Sequence, residues 1–192
     1  MTRRHAGGFS LLELMVVVTI VAILVGLAVP NYRTWVLNTR IRGAAESIQN
    51  GLRTARNEAA QRGKNVRFEL TSTDATWQVC ELPVGKTACV DGTVIDQHGV
   101  ADSAGIVITA SKATADLTTY AALTGGLPGG ITFGPLARPL VPDYGTTALL
   151  RIDASFPSNT DTRWLATTIS AGGSVQMCDV RLPKTTAPNG CK

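Results

Sequence analysis

A single apolar run near the N-terminus limits this chain more than any other feature. From Phe9 to Val29 it reads FSLLELMVVVTIVAILVGLAV. That is about 21 residues, enough to cross a bilayer as one helix. Its one charge is Glu13. Arg3 and Arg4 precede it, and basic residues on that flank keep an N-terminus cytoplasmic. Everything beyond residue 30 is then expected on the far side of the membrane.

Three readings of the run compete. A removable secretory signal would be shorter and end in a small-residue cleavage site. A plain anchor accommodates the length but leaves Glu13 unexplained, since an acid deep in a span costs roughly 2.5–3.5 kcal/mol and usually has a partner. Cleavage between Gly8 and Phe9 supplies that partner. Phe9 then carries a new α-amino group, and Glu13 of one subunit can meet the Phe9 ammonium of the next in a stack of helices.

The stretch GG-FSLLELMVVVTIVAILVGLAVPNY resembles the class III leader and helix of type IV pilins and type II secretion pseudopilins. That resemblance covers roughly residues 7–60 and implies cleavage after Gly8, N-methylation of Phe9 and an assembly role for Glu13. It also makes Pro30 the expected helix-kinking proline, with Gly26 one turn earlier. As a residue-level matter, a proline inside a helix removes a backbone hydrogen bond and bends it.

Past Pro30, Ile41, Ala45, Ile48, Leu52, Ala55 and Ala59 recur at three- and four-residue steps. This is one apolar stripe on an amphipathic helix. Arg33, Arg40, Arg42, Glu46, Arg53, Arg56, Glu58 and Arg62 fill the other faces. Gly63 stands just past the last periodic residue, a stop signal. One helix is therefore expected from Phe9 to about residue 62, about 80 Å long.

Beyond Gly63 the period shortens. KNVRFELTS, TWQVCELP, GIVITA, GGITFGP, TALLRIDA, WLATTIS and SVQMCDV read as seven or so short strands separated by Gly, Pro, Asp and Thr. Residues 83–102 and 111–130 read as loops, and GGLPGG at 125–130 as a turn. Leu70, Trp77, Val79, Ile108, Phe133, Leu150, Ile152 and Leu165 are core candidates. The expected fold class is α+β, a helical spine on an antiparallel β-rich head. The expected parts are a leader over 1–8, a transmembrane or filament-core helix over 9–29, its amphipathic second half over 30–62 and the head over 63–192. TWQVCEL, GITFGPLARP and GGSVQMCD…GC, in that order, make the head resemble the FimT and GspH branch of the pilin superfamily.

Four cysteines suit an oxidising compartment. They allow three pairings, which sequence does not decide. Two local bridges, Cys80–Cys89 and Cys178–Cys191, are the expected set. A zinc site is disfavoured: there is no C-x-x-C, and His98 stands alone beyond the leader. No metal and no cofactor are expected.

No H-E-x-x-H, G-x-S-x-G, phosphate-loop or dinucleotide motif is present, so the chain reads as a part and not as an enzyme. His98, in Asp96-Gln97-His98-Gly99, reads as a surface-loop histidine, and Asp153 and Asp161 have no evident partner. The net charge of +4 falls to +2 without Arg3 and Arg4, too little by itself to signal a nucleic-acid binder. FimT proteins that bind DNA share a Gly-Arg-x-Arg motif before a C-terminal Cys. Here Gly172-Gly173-Ser174-Val175-Gln176-Met177-Cys178 lacks both arginines, which leaves Arg181, Lys184 and Lys192 as candidate phosphate contacts, a weak set.

The resemblance implies a minor type IV pilin that primes or caps assembly. The alternatives are a minor pseudopilin at a type II secretion pseudopilus tip and a DNA-binding minor pilin for natural transformation. The implied partners are other major and minor pilins or pseudopilins, a prepilin peptidase and methylase, an inner-membrane assembly platform, and membrane lipid before assembly. The implied location is the bacterial inner membrane, single-pass, followed by a filament.

Overall fold

The computed structural model describes residues 10–99, 105–111, 129–140, 143 and 150–191, the side chains of 28–31 and 111 excepted. It forms two compact units, residues 1–36 and 37–192. Helix α1 (Leu11–Arg62) contributes to both.

In the first unit the helix begins at a cap. The Ser10 carbonyl accepts Leu14 N–H at 3.2 Å, and Ser10 Oγ accepts Glu13 N–H at 3.1 Å. The first is the opening intrahelical bond, and the second satisfies one orphan donor of the first turn. The apolar side chains that follow, Leu11 to Leu27, are each more than half exposed within the chain. No single helix among the described residues is long and apolar enough to cross a membrane; Leu11–Leu27 and Tyr32–Arg62 pass that test only when taken together. Tyr32 and Trp35, both exposed, stack obliquely at 5.9 Å.

In the second unit the periodic stripe is the buried one. Ile41, Ala45, Ile48, Leu52, Ala55 and Ala59 are each at most 1 % exposed. The charged faces make short pairs one turn apart, Arg42 to Glu46 at 2.8 Å and Arg62 to Glu58 at 2.5 Å. The helix stops at Arg62 because Gly63 takes φ +64°, a left-handed conformation open to glycine at little cost.

Eight strands follow: β1 (Val66–Leu70), β2 (Trp77–Glu81), β3 (Thr93–His98), β4 (Val107–Ser111), β5 (Gly129–Phe133), β6 (Arg151–Ser155), β7 (Leu165–Ile169) and β8 (Val175–Asp179). They form two four-stranded sheets, β3-β2-β1-β5 and β4-β6-β7-β8, antiparallel throughout. The fold is α+β. Alternation sends Val66, Phe68 and Leu70 of β1, and Ile152 and Ala154 of β6, into one core with the helix stripe. Phe68 lies opposite Val79 on one side and Ile131 on the other, and its ring meets Trp77 at 5.6 Å. Of the core candidates only Leu150 is half-buried, packed at the margin of the cluster.

Two expectations are corrected here. The segment 83–102 is not all loop: β3 lies within it, an edge strand whose side chains are mostly exposed, so it lacks the buried alternation that marks a strand. His98 is not on a loop; it closes β3 and stacks on Trp77 at 5.7 Å. The stretch 112–128, which includes most of GGLPGG, falls outside the described residues, and its last two glycines open β5.

Candidate assembly and docking surfaces

Three regions carry features beyond packing. The first is the N-terminal helix. Glu13 sits in its first turn, its backbone held by Ser10 and its neighbours Leu12 and Leu14 exposed. Gly26 lies within the helix, with open space where a side chain would stand. Gly8 and Phe9, the expected cleavage and methylation positions, and the side chain of Pro30 lie outside the described residues.

The second is the outer face of each sheet, where the sequence shows only polar alternation. On β1, Arg67 Nε reaches Glu69 Oε2 at 2.9 Å, and Arg67 Nη1 reaches Asp143 Oδ2 at 2.5 Å and Thr132 Oγ1 at 3.2 Å. Glu69 also accepts Gln78 Nε2 and Cys89 N–H. On β6, Arg151 Nε reaches Asp153 at 2.9 Å. Burial pushes the Asp153 carboxyl above its ordinary range, against the pull of Arg151 and of a hydrogen bond from Trp164. Asp153 thus has the partner that the sequence did not reveal. Both central strands carry the same device, a buried Arg and an acid two residues on, and the repeated Arg-x-Glu and Arg-x-Asp spacing was the signal available.

The disulfides close these faces. Cys80 is bonded to Cys89 and Cys178 to Cys191. Cys89 brings its backbone N–H to Glu69, and Cys191 packs with Ala166 and Val180 while its N–H bonds the Asp179 carbonyl at 3.0 Å. At the exposed rim, Glu81 is held below the usual carboxylate range by Lys64 and then Arg62.

The third region comprises the candidate phosphate contacts. Arg181 is exposed, but its guanidinium donates to the Thr160 carbonyl and its backbone N–H to Asp179 Oδ1 at 3.0 Å. Lys184 is exposed on the tail, and Lys192 lies outside the described residues. The turn before β8 is fixed by Gly173, at φ +80°, where a Cβ would stand 2.4 Å from the Ala137 carbonyl oxygen. Gln176, near the second missing arginine, is exposed. Arg163, also exposed, lines the same pocket as Arg181, beside Thr160 and Trp164.

Sequence reasoning missed a groove between α1 and β3. Trp77 closes its floor, donating Nε1–H to Ser47 Oγ at 3.0 Å, and Glu46, Asn50, Asp96 and His98 line it.

A long N-terminal helix whose second half carries two disulfide-stapled antiparallel sheets defines a pilin-like fold. Residues 3–29 match the prokaryotic N-terminal methylation motif, and residues 44–173 match the family described as type II transport protein GspH. The chain belongs to this GspH family. Two curated proteins of Pseudomonas aeruginosa named "Fimbrial protein" are each 30% identical over 96 residues, half of this chain. The chain spans 60% of the length of these relatives. Two crystal forms of the type IV minor pilin FimU of Pseudomonas aeruginosa were also found, each 18% identical. One has a TM-score of 0.51, covering 80% of this chain and 96% of that one; the other has 0.48, covering 79% and 99%. The first of these shows the same fold.

Proposed function

We propose that this chain is a minor subunit of a type IV pilus. It enters the filament by its N-terminal helix, helps prime or cap assembly, and performs no catalysis. The observation that carries this reading is the methylation motif over 3–29 joined to 30% identity with fimbrial proteins.

In this reading a prepilin peptidase removes residues 1–8 after Gly8 and methylates Phe9. Residues 9–29 hold the subunit in the inner membrane, N-terminus cytoplasmic, and then in the filament core. Glu13 pairs with the Phe9 ammonium of a neighbouring subunit, which neutralises two buried charges and sets the axial register. Loosening between Gly26 and Pro30 lets the helix fit the filament. Residues 30–62 carry the head, residues 63–192, and the partners are other pilins and the assembly platform.

A second reading, a minor pseudopilin of a type II secretion system, is favoured by the description of the matching family. DNA uptake has less support, because the Gly172–Cys178 stretch lacks the arginines and Arg181 is engaged with Thr160. Electron microscopy of surface pili on a clean deletion strain, with complementation, tests the proposal. Loss of pili is expected. Normal piliation would refute it, and exoprotein secretion and transformation frequency would then separate the other two readings.

A further inference from the structure

Each sheet ends in two edges, and three of the four have a backbone partner. On the β5 side, Leu140 N–H bonds the Thr132 carbonyl at 2.8 Å. On the β8 side, the tail pairs Gly190 with Asp179. On the β4 side, Ile108 N–H bonds the Thr73 carbonyl at 2.7 Å. The outer edge of β3 has no such partner among the described residues. An open strand edge is a template for another extended chain unless it is blocked.

The surroundings of β3 define what fits there. Glu46 and Asp96 face the groove of about 440 Å³ between β3 and α1, and among the described residues no lysine or arginine lines it. Asp96 is exposed, and its carboxylate accepts the adjacent Gln97 N–H at 2.8 Å. Glu46 shares Arg42, which lies outside the groove. On the strand's other side Val94 is half exposed and Val90 almost wholly so. A second copy is a poor occupant. Antiparallel pairing of β3 with itself about a two-fold axis at Asp96 brings the two Asp96 carboxylates together, and like charges facing across strands are destabilising.

We propose that the β3 edge docks an extended segment of a different protein by strand addition. An arginine or lysine of that segment enters the groove between Asp96 and Glu46, and an apolar residue covers Val94. Backbone hydrogen bonds supply the affinity and the groove selects the cation. This goes beyond the filament role and holds for either machine.

The test uses the full chain in detergent micelles, panned against a random twelve-residue phage-displayed peptide library. Selected peptides are synthesised with ordinary and with alternately N-methylated backbones. Enrichment of alternating apolar sequences with one or more Arg or Lys is expected. N-methylation should abolish binding, and Asp96→Lys should weaken it at least tenfold, while Asp161→Lys leaves it unchanged. Near-ultraviolet circular dichroism checks that each variant keeps its native signal. Failure to enrich, enrichment of sequences without cations, or equal binding by Asp96→Lys would overturn the proposal. So would sedimentation showing a homodimer that Asp96→Lys dissolves, because the edge would then belong to a second copy.

Discussion

Arg151 Nε stands 2.9 Å from the Asp153 carboxylate, two residues on along β6, and each residue is only 2 % exposed. Charges this deep are costly to separate, because removing one partner leaves the other desolvated and uncompensated. Arg151→Met is therefore expected to lose about 3–5 kcal/mol of stability. The double variant Arg151→Met with Asp153→Leu should recover most of that loss, since an apolar pair of similar volume carries no desolvation penalty. Urea unfolding of the full chain in detergent micelles measures both. A double variant no better than the single would mean the site needs its charges.

The same pair sets a pH dependence. Burial raises the folded-state pKa of Asp153, so between its unfolded and folded values the native state holds the extra proton. Its contribution is full below the unfolded value, about 3.9, and is lost as pH rises through the folded one. The stability of the wild type relative to Asp153→Asn should therefore grow as pH falls from neutral into the carboxylate range. A difference that stays flat or shrinks over that range would show that the pull of Arg151 outweighs the burial.

These ion pairs also mark where the sequence stops being readable. The helix stripe from Ile41 to Ala59 is legible because one period of 3.6 separates buried from exposed positions. On β1, the alternation of Val66, Phe68 and Leu70 with Arg67 and Glu69 looks like a strand with one wet face. The structure buries both faces, because the Cys80–Cys89 loop and Asp143 cover the polar one. Long-range covering of that kind has no local sequence signal. β3 failed in the opposite sense: an edge strand with both faces largely exposed needs no apolar alternation, so Thr93–His98 reads as loop. The groove beside it depends on Ser47 meeting Trp77 across thirty residues, which no local pattern encodes.

Two glycines of α1 should respond oppositely to the same change. At Gly51 a Cβ would lie 2.8 Å from the Phe68 ring and 2.9 Å from the Trp77 ring, so the helix and sheet approach through the missing side chain. At Gly43 nothing lies within 4 Å. Alanine gains about 0.5–1 kcal/mol over glycine in a helix interior, and forced overpacking costs about 1–3 kcal/mol. Gly43→Ala should thus raise the unfolding midpoint, and Gly51→Ala should lower it. Equal gains at both positions would show that the rings yield freely.

The two bridges should matter separately. Each closes a short loop, with 9 and 13 residues of separation, and loops of this size are worth roughly 2–3 kcal/mol each. Serine pairs at Cys80 and Cys89 should cost more than that figure, because Cys89 also presents its N–H to the buried Glu69. Serine pairs at Cys178 and Cys191 should instead release the tail, read as faster exchange of the Cys191 amide that bonds Asp179. Denaturant unfolding with amide exchange distinguishes the two effects.

The proposed role of Glu13 can be separated from its place in the helix cap. Ser10 Oγ accepts the Glu13 backbone N–H, so the cap depends on the serine and not on the carboxylate. Ser10→Ala should cost about 0.5–2 kcal/mol at the helix start and leave filament entry largely intact. Glu13→Gln keeps the cap, the length and the helical propensity, and removes only the charge that would meet the Phe9 ammonium. It should be cleaved by the peptidase, remain in the membrane, and drop out of the sheared filament fraction by at least tenfold on immunoblots. If Glu13→Gln enters filaments as well as wild type while Ser10→Ala does not, the first turn matters for its shape, and the charge-pairing account of assembly fails.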